Sequence, residues 1–227
     1  MPSSEKRGTG PLAVIYLTAY NVAQTLGWSA LMLSISSNLL TRGYQTLYEE
    51  NEMLLKAFQT AAILEVVHCA IGIVRSNVLL TAVQVASRVF LVWGIVHTVP
   101  QTQTNFGVLM LLLAWTVTEI IRYSFYTFQL VGHVPYVIKW MRYTFFIVLY
   151  PLGVTGELLC IYSALPIVKS SGIYSISLPN RANMSFNYFY FLIAIMLSYI
   201  PIFPQLYFHM IHQRKKMLGE PEEKKRQ

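Results

Sequence analysis

The sequence predicts an all-α, polytopic membrane protein with six transmembrane helices in one bundle, and three observations carry that prediction. First, hydrophobic residues make up 55% of the 227 positions and charged residues only 12%, whereas a soluble surface needs charge on roughly 25–35% of it. Lipid rather than water must therefore cover most of the outside. Second, the apolar residues come in runs long enough to cross a hydrocarbon core about 30 Å thick. Third, the basic residues behind the net charge of +7 collect at the ends and in short segments between those runs. That is how membrane loops carry charge, and no nucleic-acid partner is expected from it. The same balance excludes a disordered chain. Cys69 and Cys160 both lie inside apolar runs and form neither a disulfide framework nor a metal-site spacing.

The spans fall near 12–33, 54–74, 77–98, 106–130, 142–165 and 186–210, within one integral-membrane domain that ends in a basic cytosolic tail over 211–227. The first follows Lys6-Arg7, but its apolar run is longer than the 7–15 residues typical of a signal h-region, so it is read as a span. Arg75-Ser76-Asn77 separates the second and third as a tight helical hairpin. The fourth contains the unbroken run Leu109 to Trp115. The sixth carries Pro201 and Pro204, which kink it or end it early.

Basic residues flanking the spans set the orientation. With both termini cytosolic, that side holds Lys6, Arg7, Arg75, Lys139, Arg142, Arg214, Lys215, Lys216, Lys224, Lys225 and Arg226, against Arg42, Lys56, Lys169 and Arg181 opposite. The sequon Asn183-Met184-Ser185 then faces the lumen, where glycosylation is chemically open to it. Lys224 and Lys225 resemble a dilysine retrieval signal of the endoplasmic reticulum, or they are simply part of a solvated tail.

Ionisable groups at membrane depth cost roughly 2.5–3.5 kcal/mol each on insertion scales, so each needs a reason. The candidates are Glu65, His68, Arg88, Glu119, Arg122 and Glu157, with Gln84 and Tyr150 as polar companions. Gln84 and Arg88 are spaced i,i+4, and Glu119 and Arg122 i,i+3, so each pair shares a helix face. Tyr150 and Glu157, spaced i,i+7, return to within about 20° of one face and stand about 10 Å apart along the axis. Between them Pro151, Gly153 and Gly156 make a kinked, thinly covered stretch. The glycines alone would read as helix-packing positions, but packing does not explain a carboxylate next to Gly156. The two side chains are expected to meet Arg88 or Arg122 at a shared cavity. His68 is read as a bundle histidine that accepts a hydrogen bond.

His68-Cys69, five residues, then Arg75-Ser76 matches the cysteine-phosphatase signature. That chemistry needs a low-pKa thiolate beneath free backbone amides at a polar helix N-terminus. Cys69 instead sits in an apolar helix whose amides are spent on the helix ladder, so phosphatase activity is not expected. Arg75 is read as an interfacial anchor.

The stretch Tyr150-Pro151-Leu152-Gly153-Val154-Thr155-Gly156-Glu157, together with Val83 to Arg88 and Phe203 to Met210, resembles the very-long-chain (3R)-3-hydroxyacyl-CoA dehydratases, also called protein tyrosine phosphatase-like proteins. The resemblance extends over nearly the whole chain. One departure is Arg75, where the family typically has proline. The resemblance implies a six-span enzyme of the endoplasmic reticulum membrane, a hydro-lyase acting third in the fatty acid elongation cycle. It implies no cofactor and no metal, and partnership with a condensing enzyme, a ketoreductase and an enoyl reductase. The family's catalytic pair maps onto Tyr150 and Glu157, and its supporting residues onto Gln84, Arg88, Glu119, Arg122, Arg142, Tyr143 and Gly153. Glu157 then serves as base and Tyr150 as acid, with the reverse assignment open. The CoA phosphates are expected at the cytosolic edge among Arg75, Lys139, Arg142 and Arg214 to Lys216, with the acyl chain among the helices. A non-catalytic membrane scaffold explains the spans but not the paired polar faces. A small transporter would show an inverted repeat, and none is visible.

Overall fold

A computed structural model describes residues 10–181 and 183–219. Lys6, Arg7 and the dilysine of the tail lie outside the described residues. Eight α-helices are present among them: α1 Pro11–Thr41, α2 Leu47–Ala61, α3 Ile63–Ala70, α4 Val78–Phe90, α5 Phe106–Val131, α6 Tyr136–Thr144, α7 Phe146–Ser171 and α8 Tyr188–Leu218. A π-helical turn, Leu91–Val96, prolongs α4. The described residues contain no strand, only an isolated bridge between Ile176 and Phe186 in the loop before α8.

Asparagine starts three of these helices. Asn77, Asn105 and Asn187 accept from the backbone amides of Leu80, Gly107 and Tyr190 at 3.1, 2.7 and 3.3 Å, satisfying donors that the first turn leaves orphaned. Gly132 and Gly172 stop α5 and α7 in the left-handed region, at φ of 91° and 65°, which a side chain would resist.

Five segments are long and apolar enough to cross a membrane by length and composition: Tyr44–Ala70, Val78–Val96, Phe106–Val131, Phe146–Ser171 and Tyr188–Leu218. The first expected span falls on α1, whose 31 residues extend for about 46 Å. Helix α1 buries three polar side chains, Asn21, Gln24 and Asn38, against the bundle. Large apolar side chains face outward, including Leu12, Leu79 and Ile200, as a lipid-covered surface requires.

The apolar pattern places helices but misses two joints. The second expected span is α2 followed by α3, and the fifth is preceded by a separate short helix, α6. At each joint the ladder tightens to an i→i+3 bond, Glu65 to Ala62 and Val148 to Phe145. Tightening changes hydrogen-bond partners without changing which residues are apolar, so periodicity does not show it. Helix α8 continues through both prolines as far as Leu218, into the stretch read as tail.

Helix α5 is the axis of the bundle, packed along α1 on one side and α7 on the other. It is 56% buried over its apolar window, whereas α8 is only 6% buried. Gly107 and Gly156 allow the close crossing of α5 and α7. A Cβ on Gly156 would lie 2.7 Å from the Gly107 carbonyl oxygen and from the Leu111 backbone nitrogen.

Candidate active site

Glu157 sits near the middle of α7, and its carboxylate reaches two neighbouring helices. The Trp115 indole of α5 donates to Oε1 at 3.0 Å, and the Tyr199 hydroxyl of α8 donates to Oε2 at 2.6 Å. No cation pairs with Glu157 among the described residues. Trp115 is almost wholly buried, and the Arg88 guanidinium lies 5.7 Å from its ring centre.

Tyr150 is half-buried two turns earlier on α7, with its ring stacked on Phe203 at 5.1 Å and on Tyr207 at 6.4 Å. Its hydroxyl makes no hydrogen bond among the described residues. Pro151 has no N–H to offer the carbonyl of Ile147, and the Tyr207 hydroxyl donates to that carbonyl at 3.5 Å. Tyr199, Phe203 and Tyr207 recur every fourth residue and form one stripe of α8. This stripe accompanies α7 past both Glu157 and Tyr150. The sequence contains the signal for it, an aromatic residue at i, i+4 and i+8, but the reading of the sixth span rested on its prolines.

The expected pairing of Arg88 or Arg122 with the reacting groups does not form, because both guanidiniums are committed elsewhere. Arg88 pairs with Glu119. Arg122 donates to Glu119 Oε2 at 2.8 Å and to both oxygens of Glu65, at 3.0 and 2.8 Å. The Tyr123 hydroxyl completes the cluster on Glu65. The polar faces of the second, third and fourth spans therefore meet, and Glu119 at their centre is 1% exposed. Arg88 joins this charged cluster to the Glu157 site through the face of Trp115.

Of the remaining expected residues, Arg142, Tyr143 and Gln84 make no hydrogen bond to Glu157 among the described residues, and Gly153 touches its indole donor. Arg142 on α6 donates to the Tyr126 hydroxyl at 3.2 Å and covers the rings of Phe125 and Tyr126. Tyr143 sets its ring edge-on to Phe125. Gln84 is exposed, and its side chain has no hydrogen bond among the described residues. Gly153 packs beside Trp115, where a Cβ would stand 3.4 Å from Ala114 Cβ and 3.9 Å from the indole. A cleft of about 40 Å³ opens between α5, α6 and α7, lined by Thr118, Arg142, Phe145 and Leu149 among others. A larger one of about 290 Å³ lies between the ends of α6 and α8, lined by Tyr136, Trp140, Arg214, Lys215, Leu218 and Gly219. Neither cleft is lined by Tyr150 or Glu157, so the shared cavity expected from the sequence is not among them.

The phosphatase letters also acquire a structure. Cys69 is buried at the end of α3, and the amides that follow it are already used: those of Gly72, Ile73 and Val74 bond to the carbonyls of Cys69 and His68. No anion cradle is left for a thiolate. His68 shares a hydrogen bond with the Tyr16 hydroxyl at 2.9 Å and lies edge-on to Tyr16 and Tyr20, as a packed bundle histidine does.

Fold and site together define an all-helical membrane protein with an uncharged-donor cradle around one intramembrane carboxylate and a stacked phenol beside it. Comparison with known proteins narrows this class. The family described as "Protein tyrosine phosphatase-like protein, PTPLA" matches residues 59–220. Among the similar relatives is "Very-long-chain (3R)-3-hydroxyacyl-CoA dehydratase 2" of Mus musculus, 59% identical over 98% of this chain and 88% of its own length. The protein of the same name from Homo sapiens is 60% identical over 95% and 85%. "Very-long-chain (3R)-3-hydroxyacyl-CoA dehydratase hpo-8" of Caenorhabditis elegans is 51% identical over 92% and 97%. No solved structure matches the chain. The chain belongs to the protein tyrosine phosphatase-like family.

Proposed function

We propose that this protein dehydrates very-long-chain (3R)-3-hydroxyacyl-CoA to trans-2-enoyl-CoA and water, the third step of fatty acid elongation, with Glu157 as base and Tyr150 as acid. The observation that carries the site assignment is Glu157 itself: a carboxylate at mid-span, held only by neutral donors, two turns from a phenol whose hydroxyl is uncommitted. A carboxylate that accepts from an indole N–H and a phenol O–H still has lone pairs for a third proton.

The reaction breaks the C2–H bond, with the proton passing to Glu157 and the electron pair forming the C2=C3 bond. The C3–O bond breaks as Tyr150 protonates the departing hydroxyl, which leaves as water. Transfer of the proton from Glu157 back to the tyrosinate restores both groups, and no redox partner or cofactor enters the balance. The large cleft between α6 and α8 supports a site for the phosphates of CoA, since it presents Arg214 and Lys215 beside Tyr136 and Trp140. Arg214 lies about 22 Å along α8 from Tyr199, the span the pantetheine arm would cross. The acyl chain, as apolar as lipid, then lies among the helices. Under this proposal both termini are cytosolic, the membrane is that of the endoplasmic reticulum, and the other elongation-cycle enzymes are partners. The whole chain is one membrane domain whose tail follows α8.

The test is formation of enoyl product from 3-hydroxyacyl-CoA by the purified protein. Wild type should turn over, while Tyr150→Phe and Glu157→Gln should remain folded in the membrane and turn over at least about a hundredfold more slowly. A folded wild-type protein that makes none leaves the scaffold reading standing.

A further inference from the structure

We infer that Tyr199 is a positioning residue for the dehydration. Its hydroxyl fixes the second oxygen of Glu157, so that the carboxylate meets the C2 proton in one orientation. This inference rests on the assignment of Glu157 as the base.

The geometry supplies the argument. The Trp115 indole holds Oε1 alone, and one hydrogen bond leaves a carboxylate free to turn about its last torsion, which is broad for glutamate. The Tyr199 hydroxyl holds Oε2 at 2.6 Å, within the roughly 2.5–2.7 Å range of a hydrogen bond to an ionised oxygen. Two donors from two different helices define the carboxylate plane. The two supports are unlike. Trp115 is set in the most buried helix, between Arg88 and Gly153. Tyr199 stands on α8, which is buried only near its start, at Tyr188 and Leu192. There the Tyr188 hydroxyl donates to the Gly94 carbonyl at 2.8 Å. Just beyond Tyr199, Pro201 and Pro204 remove the amides that would bond to the carbonyls of Leu197 and Ile200. Tyr199 therefore stands just before a stretch of α8 that lacks two ladder bonds. Its hydrogen bond is the link by which α8 controls the orientation of Glu157. Phe203 and Tyr207, on the same stripe, stack on Tyr150, so one helix face registers both reacting side chains.

The experiment compares wild type, Tyr199→Phe, Trp115→Phe and Glu157→Gln as full-length proteins with 3-hydroxyacyl-CoA, measuring kcat, KM and the thermal midpoint. Tyr190→Phe, an exposed position on the same helix, controls for substitution in α8. Tyr199→Phe should lower kcat about ten- to a hundredfold, the scale of a misplaced catalytic group, while KM and the thermal midpoint stay at their wild-type values. Trp115→Phe should lower kcat in the same sense. Wild-type kcat in Tyr199→Phe overturns the inference. So does a raised KM with kcat intact, which would place the hydroxyl on the substrate, or failure of the variant to fold, which would make its role structural. An inactive wild type, or an active Glu157→Gln, sinks the dehydratase site itself and is distinguishable from all of these.

Discussion

Two intramembrane glutamates, Glu119 and Glu157, sit on adjacent helices and live in opposite surroundings. Glu119 is enclosed by guanidiniums, with Arg88 on one oxygen and Arg122 on the other, and Arg122 is shared with Glu65. Glu157 touches an indole and a phenol and, among the described residues, pairs with no cation. Neutralising charge and offering charge for chemistry thus fall to two helices that pack together, α5 and α7. A carboxylate with both oxygens paired to buried cations is a structural joint, because freeing it strands charge in low dielectric. A carboxylate steadied by neutral donors keeps lone pairs that a substrate proton can reach. Trp115 divides the two regions and is touched by both.

That contrast can be broken experimentally, beginning with the largest effect. Glu157→Gln removes the base and should reduce kcat by about 10²–10⁴-fold, the usual contribution of general-base catalysis, without loss of folded protein. Glu119→Gln should do the reverse. Stripping one partner from a buried ion cluster costs about 3–5 kcal/mol, to be read as a lowered thermal midpoint and a poor yield from membranes. The comparison collapses if Glu119→Gln is stable and inactive. Gly156→Ala drives a Cβ into the backbone of α5 at 2.7 Å, and overpacking of that kind costs about 1–3 kcal/mol. Gly153→Ala meets only ordinary contacts and should leave the unfolding free energy within about 0.5 kcal/mol of wild type. Smallest of all, Cys69→Ser should leave enoyl production unchanged, since its thiol faces the Thr81 hydroxyl and the amides that follow it are already bonded.

How much of this was legible varies from element to element. The fourth span is the clearest case: the run Leu109 to Trp115 predicted a helix over 106–130, and α5 covers Phe106–Val131. Its cap, Asn105, and its stop, Gly132, are residues whose local chemistry suits those positions. The joint between α6 and α7 was not legible, because both sides of Phe145 carry helix-forming apolar residues. Tyr150 and Glu157 could be paired from the sequence because their spacing is local to one helix. Tyr199 could not, because it bears on Glu157 only once α8 returns beside α7. Arg88 and Arg122 stood out as intramembrane charges, but their partners were misjudged. Spacing shows which groups share a face and is silent on what that face meets.

The sequence by itself determined that this is a bundle of lipid-length helices with a phenol and a carboxylate on one of them. Helix length, capping and apolar content are properties of neighbouring residues and of bilayer thickness, so they can be read locally. Tertiary structure alone decided which glutamate is pinned by cations and which is left to neutral donors. Trp115 and Tyr199 each lie 42 residues from Glu157 along the chain, and only helix packing brings them to opposite oxygens of one carboxylate.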